Sequence, residues 1–525
     1  MDAPFPLWMV FPVIFAGLYA SHFSLLRLPY YWDEAGYYIP AAWDFFHTGS
    51  LIPSTTVTNA HPPLPSIYLA LWWKISGFYP ETTREAVLLV ASFGLLAVWR
   101  LAQRVAGSGL VAFWTVLLTA LYPIWFAQST LAQADIFAAA FTLWGLVYAL
   151  PDQNRRPPIA AIWFTAAVLS KETAIAIPIT LAVIALADGF KANRPQRGQR
   201  WIEAVWLSIC ALPLIGWYAW HYAKTGFVFG NPEYLKYNAE STFALTRFLA
   251  AFGHRVLHLT AHMNMFVPTL LTLAALMLSP RLDRDGGERP KISRTTLWRI
   301  LFILLANTLL FSALGGALLT RYLLPMYPLV LLVSVSTFSR RVPYWQALAA
   351  LSAGAFIAGI FINPPYRFAP EDNLQYARDI RLHMAGIAQL DKLFPGSTVL
   401  TAWPVSDDLT KPELGYVKTP YEVYRLQDFT EEQITKAEDD PGGYSSALVF
   451  STKYDPASIL LSLGPKSEAL DQRYFGLHHD LPPEAIALRL KGNLVWQQED
   501  HDQWIALIRF NRQFEAQLRE SDATR

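Results

Sequence analysis

Cysteine is all but missing from this chain. The single one, Cys210, stands inside an apolar run, so no internal disulfide can form and the redox compartment is not legible. Charge is scarce as well. Only 16% of the 525 residues are Asp, Glu, Lys or Arg, against 53% hydrophobic and 14% aromatic, which excludes an ordinary soluble enzyme. The net charge of +1 carries no message of its own, because the charges are sorted along the chain. No nucleotide-binding glycine loop is evident in the sequence. Internal repeats and low-complexity tracts are absent too. The N-terminus has Asp2 in place of a basic region and no small-residue cleavage site, so its first apolar run is expected to be an anchor.

What the chain does have is a series of apolar runs of membrane-span length. They fall at 7–25, 84–104, 109–128, 134–150, 158–170, 172–189, 201–221, 248–279, 295–319, 322–338 and 344–362, about eleven spans in all. The fold class expected is mostly α, a polytopic helical bundle over 1–362. Alternate connections are basic: Arg100 and Arg104; Arg155 and Arg156; Lys191, Arg194, Arg197 and Arg200; Arg281, Arg284, Arg289, Lys291 and Arg294; Arg340 and Arg341. The positive-inside rule assigns these to the cytoplasm and makes membrane lipids the chain's constant partners. They are topology signals rather than a nucleic-acid surface. The pattern closes only if the short aromatic stretch 61–78, with Trp72, Trp73 and Lys74, lies in the interface without crossing.

That topology gathers a distinctive polar set on the outer face. It comprises Asp33 and Glu34 in a first extracytoplasmic loop over 27–80, His61, Asp135 at the start of a span, Lys171-Glu172 between two short spans, the 222–247 loop, and Arg321-Tyr322. Beyond about residue 362 the composition turns polar. Strand-like runs at 398–403, 447–451, 493–497 and 504–510, with helix-like runs at 373–394 and 431–438, predict a soluble α/β or α+β domain over 363–525. An odd number of spans puts this domain outside the cytoplasm. Adding a sugar to a hydroxyl needs a carboxylate near the acceptor proton, for which Asp33 or Glu34 is suited. A lipid-phosphate leaving group needs cations, for which Lys171 and Arg321 are suited.

These residues resemble the GT-C superfamily of integral-membrane glycosyltransferases, in particular the bacterial relatives of protein O-mannosyltransferases and the lipid A aminoarabinose transferase. The resemblance spans roughly residues 7–340. It rests on Asp33-Glu34-x-x-Tyr37, His61-Pro62-Pro63-Leu64, Gln133-Ala134-Asp135, Ser170-Lys171-Glu172-Thr173 and Arg321-Tyr322-Leu323-Leu324-Pro325. It departs at Ala60-His61, where the aminoarabinose transferase has Glu-Lys. The resemblance implies inverting transfer from a polyprenyl-phosphate sugar to an acceptor glycan, lipid or protein, at the outer face of a bacterial inner membrane. It makes Asp33 the general base and Asp135 a second acidic site residue, with Glu34 beside the first. Lys171 and Arg321 then face the donor phosphate, and Tyr37, His61, Glu172 and Tyr322 complete the substrate-binding set.

Each residue also has a plainer role open to it. Asp33-Glu34 and Asp135 are well placed to cap helices, Lys171-Glu172 to form a surface ion pair, and Arg321 to snorkel to headgroups. His254, His258 and His262 share a helix face, with His254 and His258 as candidate ligands for a possible divalent metal; the alternative is a set of interfacial histidines. Tyr234, Lys236 and Tyr237 either cover the site or belong to an aromatic belt. The competing function is a transporter or flippase of a lipid-linked substrate, which calls for inverted repeats and mid-membrane charges. A membrane-anchored sensor would not need Asp33, Asp135 and Lys171 on one face.

Overall fold

Every apolar run forecast as a span is helical over most of its length in the computed structural model, which describes residues 6–230, 244–282, 286, 288–314, 316–456 and 464–510. Local signals set many helix ends. Pro80 and Pro157 stand in first turns, where a missing N–H costs nothing, and Gly107 closes the helix Pro80–Ala106 in the left-handed conformation at φ 65. Ser108 and Ser293 accept the N–H groups of Val111 and Thr296 and so cap the helices that follow them.

Length divides these helices into two kinds. Leu7–Leu25, Pro80–Ala106, Glu172–Lys191, Arg194–Thr225 and Arg294–Ala313 are each long and apolar enough to cross a membrane. Leu245–Asn264 and Phe266–Leu276 make a sixth crossing if taken together, but they meet at a bend of 100°. The expected continuous run over 248–279 is therefore broken, because Met263 (φ 47) and Asn264 (φ 66) leave helical geometry. The remaining runs form shorter helices, including Gly109–Leu121, Ala134–Ala149, Pro157–Ser170 and Gln346–Phe361. At about 1.5 Å per residue these fall short of a ~30 Å hydrocarbon core. Ala134–Ala149 is buried along nearly its whole length. It packs Gly145 on the Phe164 ring and stacks Trp144 on Phe93 at 5.0 Å. The stretch expected in the interface contributes the helix Leu64–Ser76.

The chain divides into two compact units. One holds Met1–Leu26 and Pro40–Asn363; the other holds Arg27–Ile39 and Pro364–Arg525. The second is an α/β unit built on five strands, β1 (Val399–Ala402), β2 (Val423–Leu426), β3 (Ser446–Phe450), β4 (Asn493–Asp500) and β5 (Gln503–Arg509). Their order is β2-β1-β3-β5-β4, with β2, β1 and β3 parallel and β5 antiparallel to both β3 and β4. Leu448, Val449 and Phe450 meet Leu507, Ala506 and Ile505 in the centre of the sheet. The helix Gln375–Leu393 lays Leu382, Gly386, Ile387 and Leu390 on this core. The segment Arg27–Ile39 folds into the same unit. Leu414 O accepts the N–H of Tyr30 at 3.2 Å, and Tyr30 O accepts the hydroxyl of Tyr416 at 2.9 Å.

Candidate functional site

In the first unit, charged side chains converge where several helices end. Asp135 lies in the first turn of Ala134–Ala149, and Lys171 closes Pro157–Ser170. The Lys171 ammonium donates to Asp135 Oδ1 at 2.6 Å, and Arg321 Nε lies 3.2 Å from Asp135 Oδ2. All three are buried, so one carboxylate is shared by two cations in a low-dielectric setting. Tyr322 gathers the positive charge around its ring. Lys171 Nζ is 4.1 Å from the ring centroid, and the guanidinium carbons of Arg255 and Arg321 are at 5.6 and 5.8 Å.

Arg255 is the member that sequence reading missed. It sits one residue after His254 in the helix Leu245–Thr260, and its guanidinium donates to Leu319 O at 2.6 Å. The signal available was a second arginine, after Arg247, in a helix that holds no Lys, Asp or Glu, and the histidine pattern overshadowed it.

Glu172 follows Lys171 in sequence and pairs directly with His61, Oε2 to Nδ1 at 2.8 Å. Asn59 Oδ1 accepts the His61 N–H, and Ala60 O accepts the indole N–H of Trp217 at 3.0 Å. Ala60 takes φ 59, a conformation that L residues adopt at a cost of roughly 1–3 kcal/mol.

Asp33, Glu34 and Tyr37 belong to the second unit. Asp33 is half-buried and leads into a π-helical turn over Glu34–Tyr38. Glu34 is fully buried, and its carboxylate accepts the backbone N–H of Tyr31 at 3.0 Å. One of its roles is thus to shape the loop. The Tyr37 ring packs edge-on against Tyr38 at 5.5 Å.

Close by, the Tyr31 hydroxyl donates to Asp379 Oδ2 at 2.9 Å, and the Gln375 amide donates to Oδ1 at 2.8 Å. His383 Nδ1 lies 3.2 Å from Asp408 Oδ2. Burial raises the Asp379 and Asp408 carboxyls to about 6, against the pull of their hydrogen-bond partners. Burial, then the neighbouring Asp379, holds the Tyr31 phenol well above its ordinary value.

The histidine ladder keeps its spacing, with ring centroids 6.5 Å apart for His254–His258 and 5.3 Å for His258–His262. No group of three or more His, Cys, Asp or Glu side chains among the described residues is arranged to hold a metal ion. Within the ladder, His258 Nδ1 instead faces Arg255 Nη1 at 3.4 Å. Tyr234, Lys236 and Tyr237 lie outside the described residues.

Comparison with known proteins places this geometry in context. A family model for dolichyl-phosphate-mannose-protein mannosyltransferase matches residues 60–220, the stretch that carries His61, Asp135 and Lys171. No protein of curated function matches the chain significantly by sequence. Among solved structures, ArnT from Cupriavidus metallidurans bound to undecaprenyl phosphate is similar at 14% identity and a TM-score of 0.52, over 95% of this chain and 98% of that one. Its apo state is similar at 13% identity and a TM-score of 0.51, over 96% and 98%. The oligosaccharyltransferase of Archaeoglobus fulgidus in its apo form gives 13% identity and a TM-score of 0.42, over 84% and 69%. The chain thus has the fold of the GT-C membrane glycosyltransferases, the superfamily that its sequence motifs resemble.

Proposed function

We propose that the protein is a membrane glycosyltransferase that moves a sugar from a polyprenyl-phosphate donor to an acceptor hydroxyl on the extracytoplasmic side. The observation that carries this reading is the cation set around Tyr322: Lys171, Arg255 and Arg321, with Asp135 shared between two of them. Such a set suits a phosphate that gains negative charge as its bond to the sugar breaks. The ArnT structure bound to undecaprenyl phosphate supports a lipid-phosphate ligand for a chain of this fold.

In this reading Asp33 takes the acceptor proton as the acceptor oxygen attacks the anomeric carbon. The bond from that carbon to the phosphate oxygen breaks, its electron pair leaves with the polyprenyl phosphate, and the anomeric configuration inverts. Lys171 and Arg321 stabilise the departing phosphate. Asp135 keeps both cations in place and lowers the cost of holding them in the membrane. Glu172 orients His61 beside the substrate, and Tyr37 and Tyr322 supply aromatic surface.

The test uses purified full-length protein and a panel of polyprenyl-phosphate sugars. Asp33→Asn should lower transfer at least 100-fold, and Lys171→Met should raise the donor KM, both with folding intact. Transfer by Asp33→Asn at the wild-type rate would remove the base assignment.

A further inference from the structure

The parallel strands of the second unit leave a crevice at their carboxyl ends. From β1 the chain moves outward to β2, whereas β3 is flanked on its other side by β5 and β4, so the direction of strand order reverses between β1 and β3. Open α/β sheets bind ligands at such a reversal, beyond the strand carboxyl ends. Here the place is filled by the chain itself. Trp32 meets Trp403, which follows β1, edge-on at 4.6 Å. Tyr31 and Trp32 also line a recess with Phe450, Ser451 and Thr452 at the end of β3.

The contacts hold this segment as a binding site holds a ligand. Tyr31 ends on two carboxylates, its N–H on Glu34 at 3.0 Å and its hydroxyl on Asp379 at 2.9 Å. Gln375, one turn earlier on the same helix, fixes the Asp379 carboxylate at 2.8 Å. Trp32 is kept at φ 50, a conformation that the surroundings must enforce. A Cβ at position 36 would lie 3.2 Å from the Trp403 ring, so any larger residue would have to push that ring back by a few tenths of an ångström. Asp33 lies between these anchors, two residues after Tyr31 and three before Gly36.

We infer that Asp379 and Tyr31 are positioning residues for Asp33: the switch-point crevice of the α/β unit grips the loop and sets the direction of its carboxylate. This inference rests on the reading of Asp33 as the base. The grip itself has a readout that does not depend on that reading.

The experiment compares Tyr31→Phe, Asp379→Asn and Asp379→Leu in the full-length, detergent-purified protein, with rates expressed per folded molecule. Tyr31→Phe removes one hydroxyl and should lower kcat between about 10- and 100-fold, with the donor KM within about twofold. Amide hydrogen exchange over residues 30–36 should quicken while exchange in Ala134–Ala149 stays as in the wild type. Asp379→Asn keeps an oxygen that can accept the Tyr31 hydroxyl, so it should retain more activity and more protection than Asp379→Leu. Unchanged exchange over 30–36 in Tyr31→Phe and Asp379→Leu would overturn the grip. A loosened segment with undiminished kcat would overturn its role in positioning. If the wild type transfers no sugar from any donor, the proposed function fails, and the exchange data alone decide whether the crevice holds the loop.

Discussion

Asp135 carries two cations on one carboxylate, at 2.6 and 3.2 Å, and all three side chains are buried. Removing Asp135 would leave two uncompensated cations in a medium that cannot solvate them, whereas removing either cation would leave a neutral pair, so the surplus positive charge of the intact set is what suits it to an anion. Single residues in the second unit make a different statement, about pH. Asp379 and Asp408 titrate at about 6 when folded and near 3.8 when not, because burial disfavours their charged forms. Between these values the folded unit binds protons that the unfolded chain releases. The resulting stabilisation is complete below about pH 4 and is lost as pH rises through about 6. For one such carboxyl the change amounts to roughly 2–3 kcal/mol. Unfolding free energies from exchange of the Ser446–Phe450 amides, corrected for intrinsic rates, should fall from pH 4.5 to 6.5, and Asp408→Asn should flatten that fall. A slope unaffected by Asp408→Asn would refute the assignment.

At the scale of elements, close packing decides where substitutions hurt. Gly145 faces the Phe164 ring so tightly that an added Cβ would collide with it. Gly145→Ala should therefore destabilise the pairing of Ala134–Ala149 with Pro157–Ser170 by about 1–3 kcal/mol, even though alanine is the better helix former. A lower thermal midpoint of the detergent-solubilised protein would show this; an unchanged or higher one would mean that the ring moves aside freely. Helix existence was legible in the sequence because apolar runs in a chain with few charges leave little other choice. Helix ends and breaks were less so. Met263 and Asn264 carry no glycine or proline at the 100° bend, and the local sequence gives no warning there. In the sheet, β1, β3, β4 and β5 overlap the runs that read as strands, with β4 continuing three residues past its run to Asp500. The edge strand β2 did not stand out, being four residues long and mostly half-exposed. Asp135, Lys171 and Arg321 were legible as unusual charges near helix ends. Arg255 was not, because its spacing to His258 is hidden within the histidine ladder, and its contacts with a backbone carbonyl and aromatic rings leave no spacing to read.

For the molecule as a whole, the proposed arrangement fixes which parts share a compartment. Reporter fusions after Arg156 and after Arg367 should report opposite sides of the membrane, and finding both on one side would refute the orientation. The two units are not contiguous in sequence: Arg27–Ile39 is separated from Pro364–Arg525 by more than three hundred residues, yet folds with it. That has a consequence for exchange between related proteins. A hybrid joined only near residue 363 would pair one parent's loop with the other parent's crevice, and Gly36, Trp32 and Tyr31 would meet a surface to which they were not fitted. A clean graft needs two cuts, because the heritable module is a short N-terminal tab together with its distant C-terminal socket. Recombination that respects one boundary and ignores the other should yield chains whose helices insert normally and whose chemistry is out of register.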